Sequence, residues 1–248
     1  IGRGYTSLTR LSSLKGGVLS SKEILMKNIQ AIAFDLDGTL IHSLPDLADS
    51  ANTVRAHFGM PPLEESLIET FIGDGVTHLM HRALTADVNG TDEARIEEAL
   101  AIHIAYYGEH FTNRTRLYPQ VKETLAALQE RDIRIALVTN KIERHARKIL
   151  EHYGIIEYFA AIYGGDTLPV HKPAPDQILG VAKDFNLAPE QVLMVGDSPN
   201  DMLSAKAAGS PTLFVSYGYC DNEALINNPA TTPDHQIDSF EKLLSLLN

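Results

Sequence analysis

The chain has 248 residues, of which 44% are hydrophobic, 21 are Lys or Arg and 32 are Asp or Glu, giving a formal net charge of -11 and a sequence pI near 5.3. That apolar fraction excludes a disordered protein, and the length suits one large domain or a core with a smaller insert. The acidic balance without a basic patch argues against nucleic acid as a partner, no apolar run approaches the roughly 18 residues of a membrane-spanning helix, no Cys/His cluster has zinc spacing, and the lone Cys220 fits a reducing cytoplasm.

Residues 1–25 are rich in Ser, Gly and basic residues, carry no acid before Glu23 and begin with Ile. A vector-derived or upstream-translated leader and an organellar transit peptide both fit; the first is favoured, because Met26-Lys27-Asn28 stands before the first strand like a natural start. A short helix over 20–26 is also compatible. The apolar run from Ile29 to Phe34 reads as a buried parallel strand that stops at Asp35 and Asp37 and breaks at Gly38-Thr39. Leu44, Leu47, Ala48, Ala51, Val54 and Phe58 then recur at helical spacing, with Pro45 acceptable in a first turn, and further helices are expected over 63–72, 76–84 and 92–111. An all-helical cap over residues 43–117, hinged near 42–44 and 117–119, is the simplest reading.

From Pro119 strands and helices alternate. A helix buries Val121, Leu125 and Leu128, strand 133–139 follows, and the next helix places Ile142, Ala146, Ile149 and Leu150 on one side before Gly154 stops it. Strand 160–163 leads into a loop with Gly164-Gly165-Asp166 and His171-Lys172-Pro173. A helix through Ile178, Val181 and Phe185 precedes strand 192–195, which ends in Gly196-Asp197; helix 199–208, strand 212–215 and a terminal amphipathic helix over 239–247 complete the chain. This alternation predicts an α/β fold, a doubly wound parallel sheet with a Rossmann-like core formed by residues 26–42 and 118–248.

Polar residues fall at the carboxyl ends of four expected strands or just beyond them, where one crevice would gather them: Asp35 with Asp37, Thr139 with Asn140, Lys172, and Asp197 with Asp201. Each has a plain structural reading as well. Thr139 could cap a helix, Lys172 could be a solvated surface charge, and Asp197 and Asp201 straddle a helix start, where acids favour the helix dipole. Two carboxylates one residue apart permit division of labour between nucleophile and proton carrier. An acidic protein handling an anionic ester needs a hard cation and a lysine to offset charge.

Asp35-Leu-Asp37-Gly38-Thr39, Thr139-Asn140, Lys172-Pro173 and Gly196-Asp197-Ser-Pro-Asn-Asp201, in this order, resemble the motifs of the haloacid dehalogenase-like phosphatases. The resemblance implies an aspartyl-phosphate on Asp35 and proton transfer by Asp37. It implies Mg2+ held by Asp35, the Asp37 carbonyl and Asp197, with Asp201 on metal-bound water. It also implies that Gly38, Thr39, Thr139, Asn140 and Lys172 bind the phosphoryl group, helped by free amides at the helix start after Thr139. Dehalogenases of this fold lack the second aspartate, and phosphonatases need a cap lysine that residues 43–117 do not contain.

Phe71-Ile72-Gly73-Asp74-Gly75, Thr139-Asn140-Lys141 and Tyr217-Gly218-Tyr219 are similar to bacterial phosphoglycolate phosphatases. The implied substrate is a small-molecule phosphate ester, 2-phosphoglycolate, read on the cap side by Gly73, Gly75 and His78. On turn chemistry alone, Gly73 and Gly75 could equally form a turn between helices. Alternatives are a related phosphatase for a sugar phosphate, nucleotide or pyrophosphate, a sugar phosphomutase, or a non-catalytic binding protein. The sequence carries no signal of oligomeric state, and the expected location is cytoplasmic.

Overall fold

The computed structural model describes Met26 and residues 28–247. The leader expected over residues 1–25 lies outside the described residues, as does the helix expected over 20–26 apart from Met26. In chain order the strands are β1 (Ala31–Phe34), β2 (Ile41–His42), β3 (Arg116–Leu117), β4 (Arg134–Val138), β5 (Phe159–Tyr163), β6 (Val192–Gly196), β7 (Thr212–Val215) and β8 (His235–Ile237). Six of them form one sheet in the order β5-β4-β1-β6-β7-β8, with every pairing parallel.

All four residues of β1 are buried, and they divide between two faces. Ile32 and Phe34 pack with Val121, Leu125 and Leu128 of α5 (Val121–Glu130), whereas Ala31 and Ala33 pack with Ile178 and Val181 of α7 (Asp176–Asp184). Burying side chains as large as Ile32 and Phe34 contributes ~1.5–3 kcal/mol each. The register aligns Phe34 with Leu137 on one side and Val195 on the other. Residues just past these positions therefore share one edge. The chain runs outward from β1 through β4 and β5, then returns to β6 on the opposite flank, so the crevice at the end of β1 is a topological switch point.

Four helices lie between β2 and β3: α1 (Leu44–His57), α2 (Glu65–Glu69), α3 (Val76–Thr85) and α4 (Ile96–His110). They share their own apolar cluster, with Leu47, Ala51, Val54, Phe71, Met80 and Tyr107 among its members. The two passages between this cluster and the sheet are tied together. β2 pairs antiparallel with β3, and the buried Asp46 carboxylate accepts from the N–H groups of Arg114 (2.9 Å) and Thr115 (2.8 Å) and from the Thr115 hydroxyl (2.7 Å).

The expected strands all form, with ends shifted by a residue or so. The helix expected over 63–72 shrinks to the five residues of α2, bounded by Pro61-Pro62 and by Gly73 at φ +120°. The one expected over 92–111 begins at Ile96, because the Asp92 carboxylate accepts from Arg95 N–H at 3.1 Å and holds the preceding residues in a turn. The terminal helix divides into a 3-10 turn, Phe240–Lys242, and a short α10 (Leu243–Leu246). Unforeseen elements are β2, β3, β8, the 3-10 turns Ile156–Tyr158 and Pro189–Gln191, and α9 (Asn222–Asn227), which Asp221 caps by accepting from Glu223 and Ala224 N–H. Among the described residues no helix is long and apolar enough to cross a membrane.

Candidate active site

Asp35 follows β1 directly, and its N–H donates to Val195 O at 2.9 Å, which extends the ladder to β6. Its carboxylate meets the ammonium of Lys172 at 2.9 Å. Lys172, from the loop between β5 and α7, is only 2% exposed, so it is no solvated surface charge. Its Nζ also reaches Asp201 Oδ1 at 2.6 Å and donates to Val138 O at 2.8 Å. Burial works against the ammonium, but Asp201 and Asp35 outweigh it and raise the Lys172 pKa. Burial also dominates at Asp35, whose pKa is pushed up to about 6; Lys172 pulls it down, while Asp201 and Asp37 add to the rise.

Asp197 ends the turn after β6 and faces Asp35 and Asp201. Burial first, then these two carboxylates, raise its pKa well above the usual range. Thr39 Oγ1 donates to Asp197 Oδ1 (3.3 Å) and Tyr219 N–H to Oδ2 (2.8 Å). Asp201 opens α8 (Pro199–Ala208), where its Oδ2 accepts from both the amide (2.9 Å) and the hydroxyl (2.7 Å) of Ser198. Its helix-start role and its place beside Lys172 thus coexist. Oxygens of Asp35, Asp197 and Asp201 lie within 4.8 Å of one another, all three residues buried. Three buried carboxylates, two of them paired with Lys172, form an electron-rich, all-oxygen donor set, which suits a hard divalent cation.

Asp37 lies across from this cluster. Its carboxylate accepts from Ser43 Oγ and from Lys141 Nζ at 2.9 and 3.0 Å. Lys141 precedes α6 (Glu143–His152) and lies over the Tyr107 ring, 4.8 Å from its centre. Burial opposes its charge, yet Asp37 and Tyr107 more than offset that and raise its pKa.

The other expected phosphate-binding residues are differently engaged. Gly38 (φ +82°) turns the chain beneath Asp197. Thr139 Oγ1 accepts from Lys141 N–H at 3.2 Å, two residues before α6, whose N-cap is Ile142 without a side-chain bond; Thr139 therefore closes a turn instead of capping the helix, and it lines the cavity. Asn140 donates through Nδ2 to the carbonyls of Gly73 (2.9 Å) and Lys172 (3.0 Å), which makes its side chain a strut. The expectation of free amides at the start of α6 needs correction in two places: Lys141 N–H is taken by Thr139, and Glu143 N–H donates to Asp166 Oδ1 at 2.8 Å.

A cavity of about 310 Å³ joins these groups to the helical insert. Asp35, Asp37, Thr139, Asn140, Lys141 and Asp197 line it from the sheet side, and Gly73, Gly75, Val76, Leu79, His103 and Tyr107 from the insert. Gly73 and Gly75 are therefore at the cavity, in a turn whose positive φ values favour glycine. His78 is not. It is exposed in the first turn of α3, where its Nδ1 lies 3.0 Å from Asp74 O, and it lines a separate shallow cleft with Arg82 and Gly90. Asp74 is held outward by Arg82 (2.6 Å) and Asn200 (2.7 Å), so it brings no unpaired negative charge to the cavity.

Sequence reasoning assigned no role to Lys141, Ser43, Tyr107, His103 or His145. Lys141 was legible as the third residue of Thr139-Asn140-Lys141. Ser43 stands just before α1 and reaches Asp37 without lining the cavity, and Tyr107, His103 and His145 carry no local signal, because helix packing brings them to the cavity.

Over residues 32–215 the sequence matches the haloacid dehalogenase-like hydrolases, and the chain belongs to that family. Its relatives are more specific. It is 40% identical over 201 residues to a Chromobacterium violaceum protein named phosphoglycolate phosphatase, spanning 81% of this chain and 90% of that one. A Neisseria meningitidis protein of the same name is 39% identical over 219 residues, spanning 88% and 93%. The crystal structure of a predicted phosphoglycolate phosphatase from Haemophilus somnus 129PT matches with a TM-score of 0.82 at 38% identity, covering 90% of this chain and 100% of that one.

Proposed function

We propose that this hydrolase converts 2-phosphoglycolate to glycolate and phosphate through an aspartyl-phosphate on Asp35, with Mg2+ as cofactor. The observation that carries the substrate is the name borne by relatives at about 40% identity over nearly their full length. The chemistry rests on the floor of the cavity. Asp35 Oδ attacks phosphorus as the ester P–O bond breaks, and Asp37 gives its proton to the departing alkoxide. A water then attacks the same phosphorus; Asp37 takes its proton, the bond to Asp35 breaks, and phosphate leaves with the enzyme restored.

Asp35 and Asp197 through carboxylates and Asp37 through its carbonyl are the proposed metal ligands, with Asp201 acting through water. The cation would screen the phosphoryl oxygens from the attacking carboxylate. Lys172 holds the Asp35 carboxylate in place and supplies a second positive charge, while Gly38, Thr39, Thr139 and Asn140 shape the phosphoryl pocket. Residues 43–117 serve as a cap on a core of residues 26–42 and 118–248, and close over the reaction to exclude water.

The test is phosphate release with Mg2+ across 2-phosphoglycolate, sugar phosphates, a nucleoside monophosphate and pyrophosphate, with Asp35→Asn as blank. A preference for 2-phosphoglycolate of roughly 100-fold in kcat/KM is expected. A flat profile, or another phosphate in the lead, overturns the substrate; activity retained in Asp35→Asn overturns the mechanism.

A further inference from the structure

The cavity wall opposite Asp35 carries polar groups that neither phosphoryl transfer nor folding employs. Tyr107 of α4 and His145 of α6 both line it, and Tyr107 Oη and His145 Nε2 are buried without a hydrogen-bond partner among the described residues. A buried hydroxyl or imidazole nitrogen left unpaired costs roughly 1–3 kcal/mol, so a fold that keeps two side by side has reason to keep them. They are contiguous: the Tyr107 and His145 rings lie 5.6 Å apart nearly edge to face, and His103 stacks on Tyr107 at 5.2 Å. Gly108 leaves open the space beside His145 Nε2, where a Cβ would come no closer than 3.9 Å. Lys141 Nζ sits over the same Tyr107 ring.

The ligand chemistry follows from what these groups are. Burial pushes the Tyr107 hydroxyl up to about 12, so it remains an O–H donor. Burial, with Lys141 adding, lowers His145 to about 4, which leaves a neutral ring. An ammonium, a phenol O–H and a neutral imidazole converging on one space take a compact anion with several lone pairs. Position selects which anion. Lys141 touches both Asp37, the proposed proton donor to the ester oxygen, and the Tyr107 ring, so the wall lies next to Asp37 on the leaving-group side.

We propose that Lys141, Tyr107 and His145 form the subsite for the carboxylate of the leaving group, with His103 as a positioning residue behind Tyr107. This assignment rests on the phosphoglycolate reading above and names the side chains that would enforce it. Selectivity then comes from the junction of α4 and α6, while the Gly73-Asp74-Gly75 turn closes the cavity mouth.

The probe pair is 2-phosphoglycolate and ethyl phosphate, which replaces the carboxylate by a methyl group and keeps the ester. Steady-state kinetics with Mg2+ on wild type, Tyr107→Phe and Lys141→Met give the ratio of kcat/KM for the two esters. The expected result is a wild-type ratio well above one that falls roughly 10- to 100-fold in each variant, since a site built around polar partners discriminates strongly against a ligand lacking them. Tyr107→Phe should change the melting temperature little, because the hydroxyl makes no well-formed hydrogen bond and Lys141 keeps Asp37 as its partner. If both esters lose the same factor, the residues act through Asp37 or the fold and the subsite is overturned. If the ratio survives in both variants, the subsite alone is overturned. If wild type itself shows a ratio near one, the phosphoglycolate reading fails and the subsite fails with it.

Discussion

Replacing Lys172 by Met separates the lysine's structural part from its catalytic one. Lys172 is 2% exposed and bridges Asp35 and Asp201 at 2.9 and 2.6 Å. Methionine fills much of the stem but leaves two buried carboxylates without their cation, and breaking a buried pair in this way costs about 3–5 kcal/mol. Against a typical total of about 5–15 kcal/mol, the metal-free variant should be only marginally folded at neutral pH. The loss should shrink in acid. Asp35 already has a pKa of about 6, and losing Lys172, which pulls it down, raises it further. The folded variant then holds this proton to higher pH than the unfolded chain does, so unfolding releases a proton and stability falls as pH rises. Urea unfolding by far-UV circular dichroism suits a chain without tryptophan. It should be run in EDTA near neutrality and about one unit below the Asp35 pKa, with a recovery of about 1.4 kcal/mol per pH unit expected. Adding Asp201→Asn should recover part of the loss at either pH. A cost below about 1 kcal/mol in EDTA, or strictly additive costs for Lys172→Met and Asp201→Asn, would refute the coupled cluster.

Three further outcomes follow from the geometry. Gly38→Ala places a Cβ 2.1 Å from Asp197 Oδ2 at φ +82°, so it should abolish both activity and the rise in melting temperature on adding Mg2+, read by scanning fluorimetry. Asp46→Ala strips the acceptor from two backbone N–H groups and the Thr115 hydroxyl, and should destabilise by roughly 2 kcal/mol, with faster hydrogen exchange at residues 114–117. Burial, then Lys141 and His145, lowers His103 to about 3, below its usual 6.5; the unfolded chain binds the proton first, so stability falls as pH drops from 6.5 towards 3, by about 1.6 kcal/mol from this group between pH 6.5 and 5. His103→Gln should flatten that slope in urea titrations.

The strands of the sheet were readable because each of the five expected ones is a run of apolar residues, buried on both faces except at the edge strand β5, where Ala160 is exposed; such a run needs no partner to be recognised. β8 has three residues, and β2 and β3 two each, too few for any period to register; they exist because β7 and the two chain passages supply their hydrogen bonds. The site divides the same way. Asp35, Asp37, Thr139 and Asp197 announce themselves by following strand ends, and the sheet register draws them together, while Lys172 comes from the long loop after β5 and was legible by its place in the motif order. Tyr107 and His145 sit in ordinary helical patterns, and only the packing of α4 against the sheet side turns them toward the cavity. His78 shows the converse: proximity to Gly73-Asp74-Gly75 in sequence suggested a site residue, and helical phase directed it elsewhere.

The net charge of -11 poses a problem for an enzyme of anionic substrates, and the cavity resolves it locally. Asp74 lies in the turn nearest the cavity, yet Asn200 and Arg82 more than offset its burial and lower its pKa, so its charge stays paired on the outer side. The same contacts join the insert to the sheet side, for Asn200 also donates to Gly73 O at 3.3 Å, and Asn140 donates to that carbonyl at 2.9 Å. These amide contacts break without stranding a charge, because the Asp74 carboxylate that Asn200 would leave keeps Arg82 at 2.6 Å within the insert. An insert that opens to admit substrate needs a latch of that kind, and an ion pair buried at the same place would resist both opening and reclosing. Two lysines are instead placed inward: Lys172 pairs with Asp35 and Asp201 beneath the cavity, and Lys141, on its lining, pairs with Asp37.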